Sequence, residues 1–213
     1  MKKVTPVKKC ERIAAVDLEP ALLLAAKKLL TEEGPSALSI RRIAASAGVA
    51  PMGVYNRFKN KSGIVEALFR QGFVDFDAAM SSVEFPIGTE KNLQKEYLKS
   101  IEAMGMKYRE FAIQNPGIYQ LMFMKSVPEF APTIDAVAGA FNCFGTLVER
   151  VAWGQRAKIL IAGDPVEIGQ RVWATCHGAA SLEIVGITKL LDVENHFRML
   201  VATLFRGLLR ESK

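Results

Sequence analysis

Residues 39–61, SIRRIAASAGVAPMGVYNRFKNK, read as two short helices folded around a tight turn. Ser39 is of the N-cap type: its hydroxyl accepts from an orphan amide of the first turn. Ile40, Ile43, Ala44 and Ala47 then recur at i, i+3, i+4 and i+7, one buried helical stripe. Gly48 follows where a helix ends in a left-handed residue, a conformation that costs glycine almost nothing. Pro51 stands where a second helix starts, with φ already set and no amide to waste. Val54 and Phe58, four apart, supply its inward face and leave Met52, Gly53, Tyr55, Asn56 and Arg57 pointing elsewhere. A helix this short, with polar and cationic residues outward, is poor architecture for a core. It suits the major groove of DNA.

Charge agrees with that reading. The chain holds 28 Lys/Arg and 22 Asp/Glu, a net of +6. Residues 1–70 carry 13 basic and 6 acidic side chains, a net of +7, and the remaining 143 carry 15 and 16. The excess is confined to the segment with the turn, as phosphate binding requires. Lys2, Lys3, Lys8, Lys9 and Arg12 form a basic arm before the first helix, which reads either as a phosphate contact or as a solvated terminus.

Elsewhere nearly every periodic segment has helical spacing, which predicts an all-α chain of about nine helices. Asp17 caps a first helix with the stripe Leu22, Ala25, Ala26 and Leu29, stopped by Gly34-Pro35. The two motif helices follow, and Asn60 caps a fourth over about 61–82, the covalent link between a domain at 1–70 and a second at 71–213. Phe85-Pro86-Ile87-Gly88 breaks the chain. A long fifth helix covers 91–114, a short sixth 118–124, a seventh capped by Asp135 runs to about 157, an eighth starts at Asp164-Pro165, and a ninth covers 193–209.

The pattern Ile43-Ala44-x-x-Ala47-Gly48-Val49, followed by Val54-Tyr55-x-x-Phe58-x-x-Lys61, resembles the N-terminal DNA-binding domain of TetR-type transcriptional repressors over 22–69. The chain departs from the usual pattern at Ala50, where Ser or Thr is common, at Gly53 and at Arg57. The resemblance implies a homodimer with two recognition helices in successive major grooves of a pseudo-palindromic double-stranded operator. Phosphates would be gripped by Ser39, Tyr55, Arg57, Lys61 and Arg41 or Arg42. Bases would be met by Met52, Gly53 and Asn56, with Ala50 and Pro51 close by.

The motif Arg171-x-Trp173-Ala174-x-x-His177-Gly178-x-x-x-Leu182-Glu183 is similar to the Trp-His-Gly pattern of one subgroup of that family, as is the upstream 115–122. In such proteins the last two long helices pair with those of a second subunit. Small residues at Gly178 and Ser181, with Leu182, would let another helix approach. In the last helix Leu200, Leu204 and Leu208 belong to an apolar stripe too wide for a strict two-residue seam.

On the fifth helix Met104, Tyr108 and Phe111 share a face. Tyr119 and Phe123 follow on the sixth, Phe141 and Phe144 on the seventh, and Trp173 with His177 on the eighth. Residue by residue, plain core packing explains them. Together, and given an effector pocket in this region of the family, they are expected to line a cavity for a small hydrophobic or aromatic molecule. The neutral charge of 71–213 argues against a highly charged effector.

Enzyme chemistry has little support: there is no G-x-S-x-G, no C-x-x-C and no phosphate loop after a strand. Two histidines and three cysteines stand in no metal-binding spacing, so no cofactor or metal is implied. No apolar run reaches the 18 or so residues of a membrane span. The basic start runs into Glu11 rather than an apolar stretch, so a cytoplasmic location is expected. A ligand-responsive dimeric repressor is the primary expectation, and a helical DNA-binding protein without an inducer is the alternative.

Overall fold

The computed structural model describes residues 18–87 and 91–210. Among these residues the chain forms nine α-helices and one 3₁₀ turn. The helices are α1 (Leu18–Glu33), α2 (Ile40–Ser46), α3 (Pro51–Phe58), α4 (Lys61–Ser81), α5 (Leu93–Gln114), α6 (Pro116–Phe123), α7 (Ile134–Arg156), α8 (Pro165–Ile184) and α9 (Val193–Leu208). The expected Asp17 cap, the basic arm, Cys10 and Gly88 lie outside the described residues.

Caps place most of the boundaries. Ser39 Oγ accepts from the Arg42 amide at 3.3 Å, and Asn60 Oδ1 from the Gly63 amide at 2.9 Å. Asp164 Oδ1 accepts from Val166 N at 2.8 Å, and Asp192 Oδ1 from Asn195 N at 2.9 Å. Gly48 takes φ +69° between α2 and α3, the left-handed turn its position predicts. Three boundaries differ from expectation, and the first is the fifth helix, which begins at Leu93 rather than 91. The cap of α7 is Thr133, whose Oγ1 accepts from Ala136 N at 3.4 Å, while Asp135 lies inside the first turn. The sixth helix begins at Pro116 rather than 118, because proline at N1 needs no amide partner.

The first three helices pack on a dense core in which Leu22, Ala26, Ile43 and Val54 are fully buried, with Ile64 of α4 beside them. Each of the larger side chains, Leu22, Ile43, Val54 and Ile64, stabilises the fold by about 1.5–3 kcal/mol through removal from water. Helix α4 runs on from this unit along α7 and against α5 and α6. Helix α9 packs on α5 and α8, and a single antiparallel bridge joins Leu160 to Leu209.

Helix α6 reaches back to the first unit. A Cβ on Gly117 would stand 3.0 Å from the Leu30 carbonyl oxygen, so only glycine lets α6 sit this close to α1. At the opposite end, Arg150 of α7 is 2 % exposed and donates to the carbonyls of Val83 and Glu84, with its guanidinium 4.2 Å from the Phe85 ring centre. That side chain ties the segment after α4 to α7. Burial lowers its pKa.

Candidate functional site

Two surfaces and one cavity collect the residues singled out in the sequence. On α3, Pro51, Met52, Tyr55, Asn56 and Arg57 are exposed, with Met52 64 % and Tyr55 50 % accessible. Val54 and Phe58 turn inward. Ala50 is exposed just before the helix, and Arg41 and Arg42 are exposed on α2. Gly53 is half-buried: the direction of its missing side chain runs toward Leu18 and Val49, 3.9 and 4.0 Å away, so it presents backbone rather than a side chain on this face.

The cations on this face carry partners that the sequence pattern did not reveal. Arg42 pairs with Glu33 at 2.5 Å, Arg57 with Glu19, and Lys61 with Glu129 at 2.6 Å. The hydrogen bond from Lys61 lowers the pKa of Glu129, and the hydrogen bond to Glu33 raises that of Arg42. Exposed pairs of this kind contribute little to stability. The carboxylates of Glu19, Glu33 and Glu129 lie 38, 9 and 68 positions from their partners, so no local motif announces them. Glu129 belongs to the loop between α6 and α7, so one expected phosphate contact is held by the C-terminal region.

The cavity has a volume of about 360 Å³, is lined by α4 to α9 and opens to the surface at one side. Met104, Tyr108, Phe123, Phe141, Phe144 and Trp173 line it, as the sequence suggests. Phe141, 67 % exposed, stands at its edge. Three expected side chains do not line it. Phe111 packs edge-on against Phe76 at 5.2 Å, which fills its position with ring contacts. Tyr119 and His177 sit behind Tyr108 in a hydrogen-bonded chain: Tyr108 Oη to Tyr119 Oη is 2.8 Å, and Tyr119 Oη to His177 Nδ1 is 2.7 Å.

Burial pushes the phenol of Tyr119 up to about 12 and that of Tyr108 higher still, so both stay protonated at neutral pH. Desolvation lowers the His177 pKa, which keeps the imidazole neutral. The wall also contains residues that sequence reasoning missed: Phe69, Phe73, Phe76 and Met80 of α4, at spacings of four, three and four. That periodicity is readable in the sequence, but a helix that joins two domains gives no local sign of a second role as a wall. The helix that continues from α3 is thus part of the cavity. Met122 and Phe123 of α6 belong to the wall too, one end of a helix whose other end rests on Leu30.

The second surface runs along α8 and α9. Gly178 is exposed, with nothing within 4 Å of where a Cβ would stand. Leu182 is exposed, while Ser181, Leu200 and Leu204 are half-buried. Leu208 does not belong to this face: it is 5 % exposed and packs inward with Phe197, Val201 and Phe205, because the wide stripe of α9 divides into two adjacent faces. Val185, Ile187, Leu190, Leu191 and Met199 extend the exposed apolar surface. No helix among the described residues is long and apolar enough to cross a membrane. Among them no cluster of His, Cys, Asp and Glu could hold a metal ion.

Residues 22–68 match the family of bacterial regulatory proteins known as the tetR family, and residues 101–204 match the tetracyclin repressor-like C-terminal domain. The fold is shared with a Rhodococcus sp. RHA1 protein of unknown function, 24 % identical with a TM-score of 0.79, over 96 % of this chain and 100 % of that one. A TetR-family transcriptional regulator of Haemophilus influenzae is 20 % identical with a TM-score of 0.67, over 93 % and 100 % of the two chains. The TetR-family regulator PfmR of Thermus thermophilus is 17 % identical with a TM-score of 0.67, over 89 % and 99 %. No curated protein matches the sequence.

Proposed function

The chain belongs to the TetR family of transcription regulators, and on that premise we propose that it is a dimeric repressor released from its operator by a small hydrophobic molecule. The observation that carries the reading is the apolar cavity walled by α4, because α4 continues directly from the helix that would enter the major groove. A molecule that alters the spacing of the cavity walls acts on a lever attached to α3. Helix α6, with one end in the wall and the other on α1, is a second point of purchase.

In this reading two subunits pair through the exposed faces of α8 and α9, around Gly178, Leu182, Leu200 and Leu204. The exposed apolar side chains from Leu182 to Met199 form the kind of surface that a second copy removes from water. Pairing sets two α3 helices about 34 Å apart, one turn of DNA. Tyr55, Lys61, Arg57 and Arg41 or Arg42 grip phosphates, and Ser39 adds its hydroxyl. Met52 and Asn56 face base edges, with Ala50 and Pro51 beside them and Gly53 contributing backbone. The division at about residue 70 separates DNA reading from ligand binding and pairing.

The effector acts only through its differential affinity for the two dimer geometries. A factor of about 100 corresponds to roughly 2.7 kcal/mol of coupling. A gel shift on DNA upstream of the gene, with and without a hydrophobic metabolite extract, tests the proposal. Retardation that the extract reverses is expected. Retardation that no extract alters would favour a DNA-binding protein without an inducer, and no retardation at all would contradict both.

A further inference from the structure

Two walls of the cavity, α4 and α7, lie side by side and run in the same direction. Thr133 Oγ1 donates to Glu66 at 2.6 Å, the Cys143 thiol to the Phe73 carbonyl at 3.3 Å, and Thr146 Oγ1 to Asp77 at 3.0 Å, so the two helices keep a steady register. Lining positions recur on every turn of both, from Phe69 to Met80 on α4 and from Val137 to Leu147 on α7. At about 1.5 Å per residue these stretches are about 16 and 15 Å long. The cavity is a slot along the seam of the two helices. Spread over about 15 Å, its volume of about 360 Å³ leaves a mean section of about 24 Å². An extended hydrocarbon chain, whose carbons keep about 4 Å from their neighbours, needs about 20 Å². The slot is one chain wide.

Its two ends differ. Tyr97 Oη donates to the Arg150 carbonyl at 3.2 Å, which sets the start of α5 beside the end of α7 and brings Ile101 to the same end as Met80. Met80, Ile101, Val201 and Phe205 are all buried there. A Cβ on Gly105 would stand 3.0 Å from Val201, so α9 rests directly on α5 and closes this end. At the other end Phe141 is exposed, and Val137, Ala140 and Phe123 are half-buried. The slot is therefore blind at Met80 and open beside Phe141. No side chain in its lining carries a formal charge. Whatever enters is apolar, and whatever stays at the mouth keeps its water.

We propose that the slot takes a single straight alkyl chain, methyl end first, whose polar head remains in water beside Phe141. This rests on the effector reading above and narrows it to single-chain amphiphiles. Carbon–carbon bonds of about 1.5 Å advance an extended chain by about 1.25 Å per carbon, so about twelve carbons reach the blind end. A compact ring of the same carbon count is too wide for the section and leaves the far end empty. A carboxylate drawn into the slot would be buried without a cation, which is costly. A carboxylate at the mouth carries no such cost, so the charge of the head is free to vary while the chain is not.

Calorimetric titration of the full chain with straight-chain alcohols, from hexanol to hexadecanol, measures the depth of the slot. Affinity is expected to rise about three- to fourfold per methylene up to about dodecanol and to level off beyond it, where further carbons stay in water. Cyclododecanol, with the same carbons closed in a ring, should bind about tenfold more weakly than dodecanol or worse. Dodecanoate should bind within a few-fold of dodecanol. Leu147→Phe, which adds bulk on the α7 wall near the blind end, should move the plateau to shorter chains and leave hexanol unchanged; the wild-type series decides without it if that variant melts early. Naphthalene serves as a rigid apolar guest. Cyclododecanol as tight as dodecanol, affinity still climbing at hexadecanol, rejection of dodecanoate, or naphthalene binding without dodecanol overturns this inference alone. Failure of every probe to bind, naphthalene included, overturns the effector reading and this inference with it.

Discussion

The N-terminal three-helix unit and the C-terminal region use the same helical vocabulary to opposite ends. In the first, Leu22, Ala26, Ile43 and Val54 interlock without exposure, and the outer face is a set of cations held by carboxylates. In the second, equally buried rings surround about 360 Å³ of space. A solid unit holds one geometry for reading a fixed pattern of phosphates and bases. A hollow one has walls whose separation an occupant can set. Burial does not distinguish them, since Met104 and Leu29 are almost equally hidden. What differs is whether the neighbouring volume is filled.

Truncation should expose that difference most strongly. Leu22→Ala removes contacts on all sides and is expected to cost about 3 kcal/mol. Met104→Ala, with open space already on one side, should cost about half as much, because fewer contacts are lost. Urea denaturation of both variants checks the ratio, and equal losses would break the contrast.

Enlargement should sort the two regions in the same way. A Cβ on Gly63 would stand 2.1 Å from the Phe58 carbonyl oxygen, so Gly63→Ala must displace backbone at the α3–α4 junction. A destabilisation of about 2–3 kcal/mol is expected. Gly139 of α7 meets nothing within 4 Å, and Gly139→Ala should stabilise the helix by about 0.5–1 kcal/mol. Thermal melts of the pair read both signs at once.

The cationic face sharpens the comparison from the other side. Lys61→Ala should weaken binding to all DNA sequences alike and reduce the salt slope by about one unit. Glu129→Gln frees Lys61 and should tighten DNA binding several-fold at low salt with the sequence preference unchanged. Anisotropy of labelled duplexes at several salt concentrations measures both. Unaltered affinity in both variants would remove Lys61 from the docking face.

The smallest effect is in pH. Burial places the folded pKa of His177 below its unfolded value of about 6.5, so the unfolded chain binds the proton more readily. The contribution of the neutral imidazole is therefore fully present above about 6.5 and is lost as pH falls toward the folded pKa. His177→Gln should flatten the melting temperature between about pH 7 and 5 relative to wild type. An unchanged slope would place the titration elsewhere.

Local chemistry made the solid unit readable. Ser39, Gly48, Pro51 and Asn60 act within three or four residues of themselves, and the structure places each where its type demands. Thr133 and Asp135 show the limit of that reading: both are capping types, and the choice between them rests on where α7 meets α4, through Thr133 and Glu66 at 2.6 Å. The cavity was only partly legible. Its rings stand at helical spacing, but spacing cannot say which buried faces leave a void. Phe69, Phe73 and Phe76 could be recognised as wall only once α7 lay beside them. Phe111, Tyr119 and His177 share the pattern and still stand outside the lining. The ion pairs of Arg57 and Lys61 join residues far apart in the chain and depend wholly on the fold.

The central claim is that occupancy of the hollow region controls the solid one. It is tested most directly by filling the cavity from within. Ala140→Phe combined with Val172→Phe adds two rings at lining positions away from α1 to α3. Operator DNA recovered from the gel shift, followed by anisotropy against a titration of the releasing extract, compares this double variant with wild type. The account predicts that both proteins bind the operator within a few-fold of each other and that the extract releases only wild type. Release of the double variant at the same extract concentration would contradict it.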